Sequence, residues 1–357
     1  MRLVMTLLAR DEADIVDAQV AFHLHAGVDF VVATDNCSDD GTTEILERYE
    51  RAGVLRLIRE PGEDMRQDAW VTRMARLAAV EHGADWVLNT DADEFWWPRG
   101  GSLKEVLSLV PERFGVVRGC WRHFLPRPDD HGFFAERMTA RLAAPRHPGD
   151  KETVYHAHQK VAHRATPDVV VELGNHNAQG SGLEPLRSWH PIEVLHFSFR
   201  SLEQAERKCR GGWLRHSYDE LTLHQVLLFE AYRSGSLAEH YATLAVSDED
   251  LERGIAGGTI AVDTRLRDAL RAIRADGGGA VLPRAGEPPR IAFPPAGPRE
   301  DAAYAAEAAV LASIDGVVRS EERAERNERR HAERERPPLL PTRALARRAT
   351  GRRRDGT

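Results

Sequence analysis

Apolar runs of strand length alternate with amphipathic stretches over the first 97 residues of the chain. Residues 2–8 read as a buried strand, and a helix is predicted over about 12–26. Ile15, Gln19, Phe22 and Ala26 fall on one stripe of that helix, and Gly27 stands where a helix ends. Val28 to Thr34 is a second strand. Asp35-Asn36-Cys37-Ser38-Asp39-Asp40-Gly41-Thr42 is turn chemistry throughout, rich in side chains that bond their own backbone. A helix over about 42–52 ends at Gly53, Val54 to Ile58 is a third strand, and a helix over about 67–82 ends at Gly83. The fourth strand opens with Trp86-Val87-Leu88. This order predicts an α/β fold: a doubly wound, mostly parallel sheet with ligands at the strands' carboxyl ends.

From about 115 the pattern changes. Val116–Trp121, Lys160–Ala162, Asp168–Glu172 and Ile192–Phe197 are strand-like, separated by loops rich in Pro, Gly and His. Ser201-Leu202-Glu203-Gln204 forms a capping box that opens a helix to about 210, and Leu221 to Arg233 is a further helix. Gly277 to Pro298 reads as a Gly/Pro-rich linker or surface loop. Residues 301–336 read as a charged helix with Glu322 and Glu325 four residues ahead of Arg326 and Arg329. The last stretch, 337–357, carries three prolines and six arginines and is expected to be disordered.

The chemistry concentrates in Asp85-Trp86-Val87-Leu88-Asn89-Thr90-Asp91-Ala92-Asp93-Glu94-Phe95. Three carboxylates crowd the end of a buried strand, where they repel one another and resist desolvation unless a cation neutralises them. Asp91 and Asp93, one residue apart, point the same way in an extended chain. Such oxygen ligands favour Mg²⁺ or Mn²⁺, which keep positions open for the phosphates of a nucleotide. A net charge of −7 gives no pull toward nucleic acid and makes a metal more useful for holding an anionic substrate. The three cysteines are odd in number, far apart and outside any C-x-x-C spacing, which fits a reducing compartment. No apolar run reaches the roughly 18 residues of a membrane span and no signal-peptide cleavage region follows the first strand, so a cytoplasmic chain is expected. The basic tail reads either as a solubilising end or as a weak peripheral contact with the inner membrane surface, at roughly 1 kcal/mol per Arg.

Three motifs in order, Arg10-Asp11-Glu12-Ala13-Asp14, Asp35 through Thr42 and Asp85 through Phe95, resemble those of family-2 glycosyltransferases with the glycosyltransferase A fold. The resemblance is closest to a bacterial subgroup with motifs of the form R-N-E-A-D, D-N-x-S-x-D-G-T and D-W-x-x-x-x-D-A-D-E-F. It covers about residues 2–97, with Asp11 standing where the subgroup has Asn. Beyond 115, Leu195-His196-Phe197, Arg200 and Lys208 also match. The resemblance implies a metal-dependent, inverting enzyme that moves a sugar from a nucleotide-diphosphate sugar to a glycan, lipid-linked or small-molecule acceptor. It further implies that Thr6, Arg10, Glu12, Asp35 and Asn36 cradle the nucleoside. Asp91 would meet the ribose or the metal, and Asp93 would bind the Mn²⁺ or Mg²⁺ that bridges both phosphates. His176 and His196 fall where the family often has His, and each reads as a metal ligand, a phosphate donor or a satisfied core side chain. Residues 1–115 would form the nucleotide-sugar half of the domain and 116–275 its acceptor and catalytic half, followed by the loop and charged helix of 276–336 and the tail of 337–357.

An inverting transfer needs a base for the acceptor hydroxyl. Glu94, Asp168, Glu172 and Glu184 are candidates that spacing does not separate, with Glu94 and Glu172 carried forward. Trp96 and Trp97 read equally as a sugar-stacking platform or as core. His156 and His158, alternating near His163, read as a polar surface strand or a metal cluster. Two other functions stay open. A nucleotidyltransferase would share the sheet and the carboxylates, but would need a Gly-rich, basic phosphate loop where Arg10–Asp14 stands. A non-catalytic sugar-nucleotide-binding protein would not need Asp91 and Asp93.

Overall fold

Leu3, Met5 and Leu7 face one side of the first strand while Val4 and Leu8 face the other, and both sides are buried. That is why the run is apolar without alternation. In the computed structural model the described residues are 1–62, 66–128, 131–146, 153–187, 189–211, 223–274, 282–283 and 290–294. The charged helix expected at 301–336, the basic tail at 337–357 and most of the 277–298 loop lie outside them.

The first half runs β1 (Leu3–Ala9), α1 (Val16–His25), β2 (Phe30–Asp35), α2 (Thr42–Arg51), β3 (Leu55–Arg59), α3 (Gln67–Val80), β4 (Trp86–Asp91) and β5 (Glu94–Pro98). The second half runs α4 (Leu103–Ser108), β6 (Val116–His123), α5 (Phe134–Arg137), β7 (Ala140–Leu142), β8 (Gln159–Arg164) and β9 (Val170–Val171). It continues with a 3₁₀ turn (Leu173–Asn175), β10 (Ala178–Gln179), β11 (Ile192–His196), α6 (Leu202–Gly211), α7 (Leu223–Ser234), α8 (Leu237–Leu244), α9 (Asp248–Ala256), β12 (Ile260–Val262) and α10 (Arg265–Ile273).

Eight strands form one sheet in the order β3-β2-β1-β4-β8-β6-β11-β5. β1 to β4 are mutually parallel, β8 enters antiparallel between β4 and β6, β11 is parallel to β6, and β5 closes the edge antiparallel to β11. Phe22 and Val20 of α1 pack with Leu3, Met5 and Leu7 on one face, while Trp70, Val71 and Met74 of α3 pack with Val4, Val32 and Val87 on the other. Each such side chain contributes roughly 1.5–3 kcal/mol of burial. The fold is therefore the expected α/β one, a doubly wound, mostly parallel sheet with helical additions toward the C-terminus.

Some expected elements differ. The strand anticipated at 168–172 shrinks to β9, which pairs only with β10 outside the main sheet. Phe95-Trp96-Trp97 is a strand, and both tryptophans go to the core: Trp97 stacks on Phe22 at 5.9 Å, and Trp96 sits against Gly119, where an added Cβ would meet its ring at 3.1 Å. At the start of α6, the Ser201 hydroxyl accepts from the Gln204 amide at 3.1 Å, as a capping box requires. The Gln204 carbonyl accepts from Arg200, one residue before the cap position. None of the three cysteines is in a disulfide, and no helix among the described residues is long and apolar enough to cross a membrane.

Candidate active site

Mixed strand direction decides where the site lies. β4, β6 and β11 end, and β5 and β8 begin, at the same edge of the sheet, with His196 opposite both Glu94 and His123 in the register. Residues far apart in sequence therefore converge on one cavity of about 410 Å³, lined among others by Arg10, Asn36, Asp91, Asp93, His176 and His196.

The carboxylates at the end of β4 and in the turn to β5 are each matched to a cation. Two of the chain's four lysines do this, although its basic residues are almost all Arg. A compact ammonium on a flexible stem suits a point contact. Lys160, 1 % exposed, donates to Asp91 and, at 2.7 Å, to the Gly174 carbonyl, and lies 3.1 Å from Glu94. Burial alone would lower its pKa, but Asp91 and Glu94 outweigh that and hold it above the ordinary lysine value. Lys208 donates to Asp93 at 3.0 Å and to the Ser198 carbonyl at 3.1 Å, and Arg200 lies 3.9 Å from the same Asp93 oxygen. Burial alone would raise the Asp93 carboxyl; Lys208 and Arg200 outweigh it and keep it well below the usual carboxylate range. The Asp93 backbone carbonyl accepts from Phe197 at 2.9 Å, which pins the turn to the end of β11.

Glu94 is fully buried and does not line the cavity. Its carboxylate accepts from the Trp121 indole at 2.8 Å and the Asp91 amide at 3.1 Å, while burial pushes its pKa up to about 8. It ties β4, β5 and β6 together and is not positioned to meet an acceptor.

A chain of imidazoles fixes the state of His196. His123 Nε2 must donate to the His156 carbonyl at 2.9 Å, because a carbonyl only accepts. His123 Nδ1 therefore carries a lone pair, and the His196 Nδ1 facing it at 3.4 Å carries the proton. The lone pair of His196 then lies on Nε2, 3.9 Å from Asp93. Burial holds His196 well below the ordinary imidazole value, so the ring is neutral. It is stacked on Trp121 at 4.3 Å. Ligand-capable atoms of Asp93, Glu94 and His196 all lie within 4.8 Å of one another. An ionised carboxylate and a neutral imidazole, both open to the cavity, are the donor set that suits Mn²⁺ or a related divalent cation, so Asp93 and His196 fit such an ion. Asp91 stands outside that trio, its oxygens accepting from Lys160, from Asn175 at 3.1 Å and from Gln67 at 3.3 Å.

At the other end of the cavity Arg10 donates to Asn36 at 3.0 Å, and Asn36 donates to the Gly62 carbonyl at 2.8 Å. Glu12 also lines the cavity. Burial raises its carboxyl to about 7, against the pull of Arg200, which donates to it. Arg200 also grips Asp14 with bonds of 2.6 and 2.9 Å, so one buried guanidinium ties the loop after β1 to the end of β11. Asp35 and Thr6 do not line the cavity. Asp35 accepts from the Ser38 and Thr43 hydroxyls at the entry to α2, which is helix-start chemistry. Thr6 lies mid-strand, fully buried, and donates to Asn89 at 2.9 Å within the sheet.

The remaining base candidates also sit elsewhere. Glu172 accepts from Asn177 at 3.1 Å and from Gln179, and Asp168 accepts from Thr166 and Ser181. Neither these nor Glu184 lines the cavity. His163 is buried within β8, its Nδ1 donating to the Arg164 carbonyl at 2.8 Å. His156 and His158 lie in an irregular loop, not on a surface strand, and both line the cavity. His158 stacks on His176 at 3.5 Å. Sequence reasoning passed over Lys160 and Trp121 as site residues. The rarity of lysine in an Arg-rich chain was the one available signal for Lys160.

No family model matches the chain, and no curated protein matches it. Among solved structures it is similar to TarS 1–349 of S. aureus in complex with UDP, at 12 % identity and a TM-score of 0.31, over 81 % of this chain and 98 % of that one. TarS 1–349 has also been determined in complex with UDP-GlcNAc. A second likeness is to glucosyl-3-phosphoglycerate synthase of Mycobacterium tuberculosis in complex with Mn²⁺, UDP and glucosyl-3-phosphoglycerate, at 18 % identity and a TM-score of 0.24, over 36 % of this chain and 44 % of that one. A third is to 4-diphosphocytidyl-2C-methyl-D-erythritol synthase, at 14 % identity and a TM-score of 0.27, over 46 % and 76 %. At these scores the likeness is loose, and the functional reading rests on the geometry of the cavity.

Proposed function

We propose that this chain transfers a sugar, with inversion, from a nucleotide-diphosphate sugar to an acceptor hydroxyl, and that the transfer depends on a divalent cation held by Asp93 and His196. The observation that carries this reading is the state of that pair: an ionised carboxylate facing an imidazole whose lone pair the His123 relay turns toward it, in a cavity that also holds Arg10 and Asn36. Mn²⁺ or Mg²⁺ bound there would act as a Lewis acid toward the departing diphosphate.

The chain's own groups divide the remaining work. Asn36 and Arg10 offer an amide and a guanidinium to the nucleoside at the ends of β1 and β2, where ligands gather in an open α/β sheet. Lys208 and Arg207 line the same cavity and present cations to the diphosphate. Lys160 keeps Asp91 in place, and Arg200 holds Glu12 in the cavity wall while gripping Asp14 of the same loop. The acceptor enters through the half built from 116–275, and its hydroxyl belongs to a glycan, a lipid-linked glycan or a small metabolite.

A thermal-shift screen with UDP, UDP-GlcNAc, UDP-glucose and GDP-mannose, with and without Mn²⁺, tests the reading. At least one compound should stabilise the protein only when Mn²⁺ is present, and Asp93→Ala should fold yet lose that response. Equal stabilisation of the Asp93→Ala protein would overturn the assignment.

A further inference from the structure

Within the reading above, which this inference rests on, a divalent cation and an ammonium contend for one carboxylate. Lys208 Nζ donates to Asp93 Oδ2 at 3.0 Å, while Asp93 Oδ1 faces His196 Nε2 at 3.9 Å. We propose that Lys208 is a movable counter-ion, which leaves Asp93 to a divalent cation and turns its ammonium to the diphosphate of the incoming nucleotide.

Arg200 and Lys208 both stand close to Asp93, and they differ in freedom. Arg200 is 1 % exposed, lies 3.9 Å from Asp93 and spends its donors on Glu12, Asp14 and the Phe197 carbonyl. A planar fork gripped on three sides stays where it is. Lys208 sits in the last turn of α6, lines the cavity and has 24 % of its side chain exposed. Its other partner is the Ser198 carbonyl at 3.1 Å, which also accepts from the Gln204 amide at 3.4 Å. That carbonyl therefore keeps a donor when the ammonium leaves. Lysine is the uncommon cation in this chain, present only at 104, 151, 160 and 208. A compact charge on a flexible stem changes oxygens by rotating that stem, which a guanidinium fork does not.

Electrostatics sets the direction of the exchange. Like charges a few ångströms apart repel strongly where water is scarce. An ion held by Asp93 and His196 lies that close to an ammonium on Asp93 Oδ2, so the ammonium opposes metal binding. A diphosphate brings anionic oxygens that make charge-assisted bonds with an ammonium. Once Lys208 turns to those oxygens, its opposition to the metal ends. Metal and nucleoside diphosphate then tighten each other's binding, and by linkage the tightening is equal in both directions.

Lys208→Met and Lys208→Gln test this on the full chain at pH 8, the second keeping a donor without the charge. Mn²⁺ binding is followed by electron paramagnetic resonance, and UDP and uridine are titrated by calorimetry. Both variants should bind Mn²⁺ alone more tightly than wild type, by about tenfold or more. With Mn²⁺ saturating, both should bind UDP about tenfold more weakly. Uridine, which lacks the diphosphate, should bind them as it binds wild type. Mn²⁺ binding that is unchanged or weaker in both variants overturns the exchange and leaves the transfer reading standing. Unchanged UDP binding, or a UDP loss matched by uridine, does the same. A wild-type chain that takes up no Mn²⁺ even with UDP overturns both.

Discussion

Substituting Gly174 by alanine probes the packing of His176 in a way that can be worked out in advance. Two penalties arise. Gly174 has φ +74, and an alanine in the left-handed region costs roughly 1–2 kcal/mol. The new Cβ would also meet His176 Nε2 at 2.4 Å and Cδ2 at 2.6 Å, closer than real contacts allow, and overpacking of this kind costs roughly 1–3 kcal/mol. The single substitution should therefore lose about 2–5 kcal/mol in urea unfolding. The nearest atoms to that Cβ all belong to His176, so in a His176→Ala background only the backbone penalty remains. The double-mutant cycle should show a coupling of roughly 1–3 kcal/mol between the two positions. Additivity to within about 0.5 kcal/mol, or a neutral Gly174→Ala, would refute the placement of the ring over residue 174.

Other perturbations separate binding from folding. Asn36→Ala should weaken nucleoside diphosphate binding by roughly 1–3 kcal/mol, whereas Asp35→Ala, which removes the acceptor for the Ser38 and Thr43 hydroxyls, should show its loss in the unfolding midpoint and not in a UDP titration. Arg200→Met leaves Glu12 and Asp14 without their guanidinium and should cost about 3–5 kcal/mol in urea unfolding; a loss below about 1 kcal/mol would contradict the clamp. Burial holds His23, His163 and His224 down at about 4, His123 at about 3 and His196 well below its ordinary value, so the folded chain keeps these rings neutral. The unfolded chain takes up protons there once pH drops below about 6.5, so this stability is complete above that value. It falls by about 1.4 kcal/mol per pH unit for each ring until its folded value is reached. Unfolding midpoints should drop steeply from pH 6.5 to 5, and a flat profile would argue against neutral buried histidines.

The first four strands were legible because β1, β2 and β4 are buried on both faces, β3 alternates buried Leu55 and Leu57 with half-buried Arg56 and Ile58, and each helix between them stops at a glycine or an open turn. Carboxylates at the end of β4 were legible for the same reason: they interrupt an apolar run. What the sequence hid is set by pairing between distant segments. β8 enters the sheet antiparallel between β4 and β6, and only that insertion brings Lys160 beneath Asp91; no local period encodes it. Alternation at His156 and His158 suggested a strand face, but their loop is bonded to Arg146 and Trp121 and turns both rings into the cavity. Asp35 shows a different limit. Its turn was read correctly as polar, but composition does not say whether a side chain points at a ligand or at the first turn of its own helix. Glu94 shows the same limit, since a third carboxylate in the motif reads as chemistry until the indole of Trp121 is found bonded to it.

That Asp93 and His196 share a divalent cation is tested most directly by electron paramagnetic resonance of free Mn²⁺, titrated with the full chain in the presence of UDP. The wild-type protein should withdraw Mn²⁺ from solution, and both Asp93→Asn and His196→Gln should weaken that withdrawal by roughly 10–100-fold or more while the proteins stay folded. Unchanged Mn²⁺ binding in either variant, or UDP bound as tightly in EDTA as in Mn²⁺, would contradict the account.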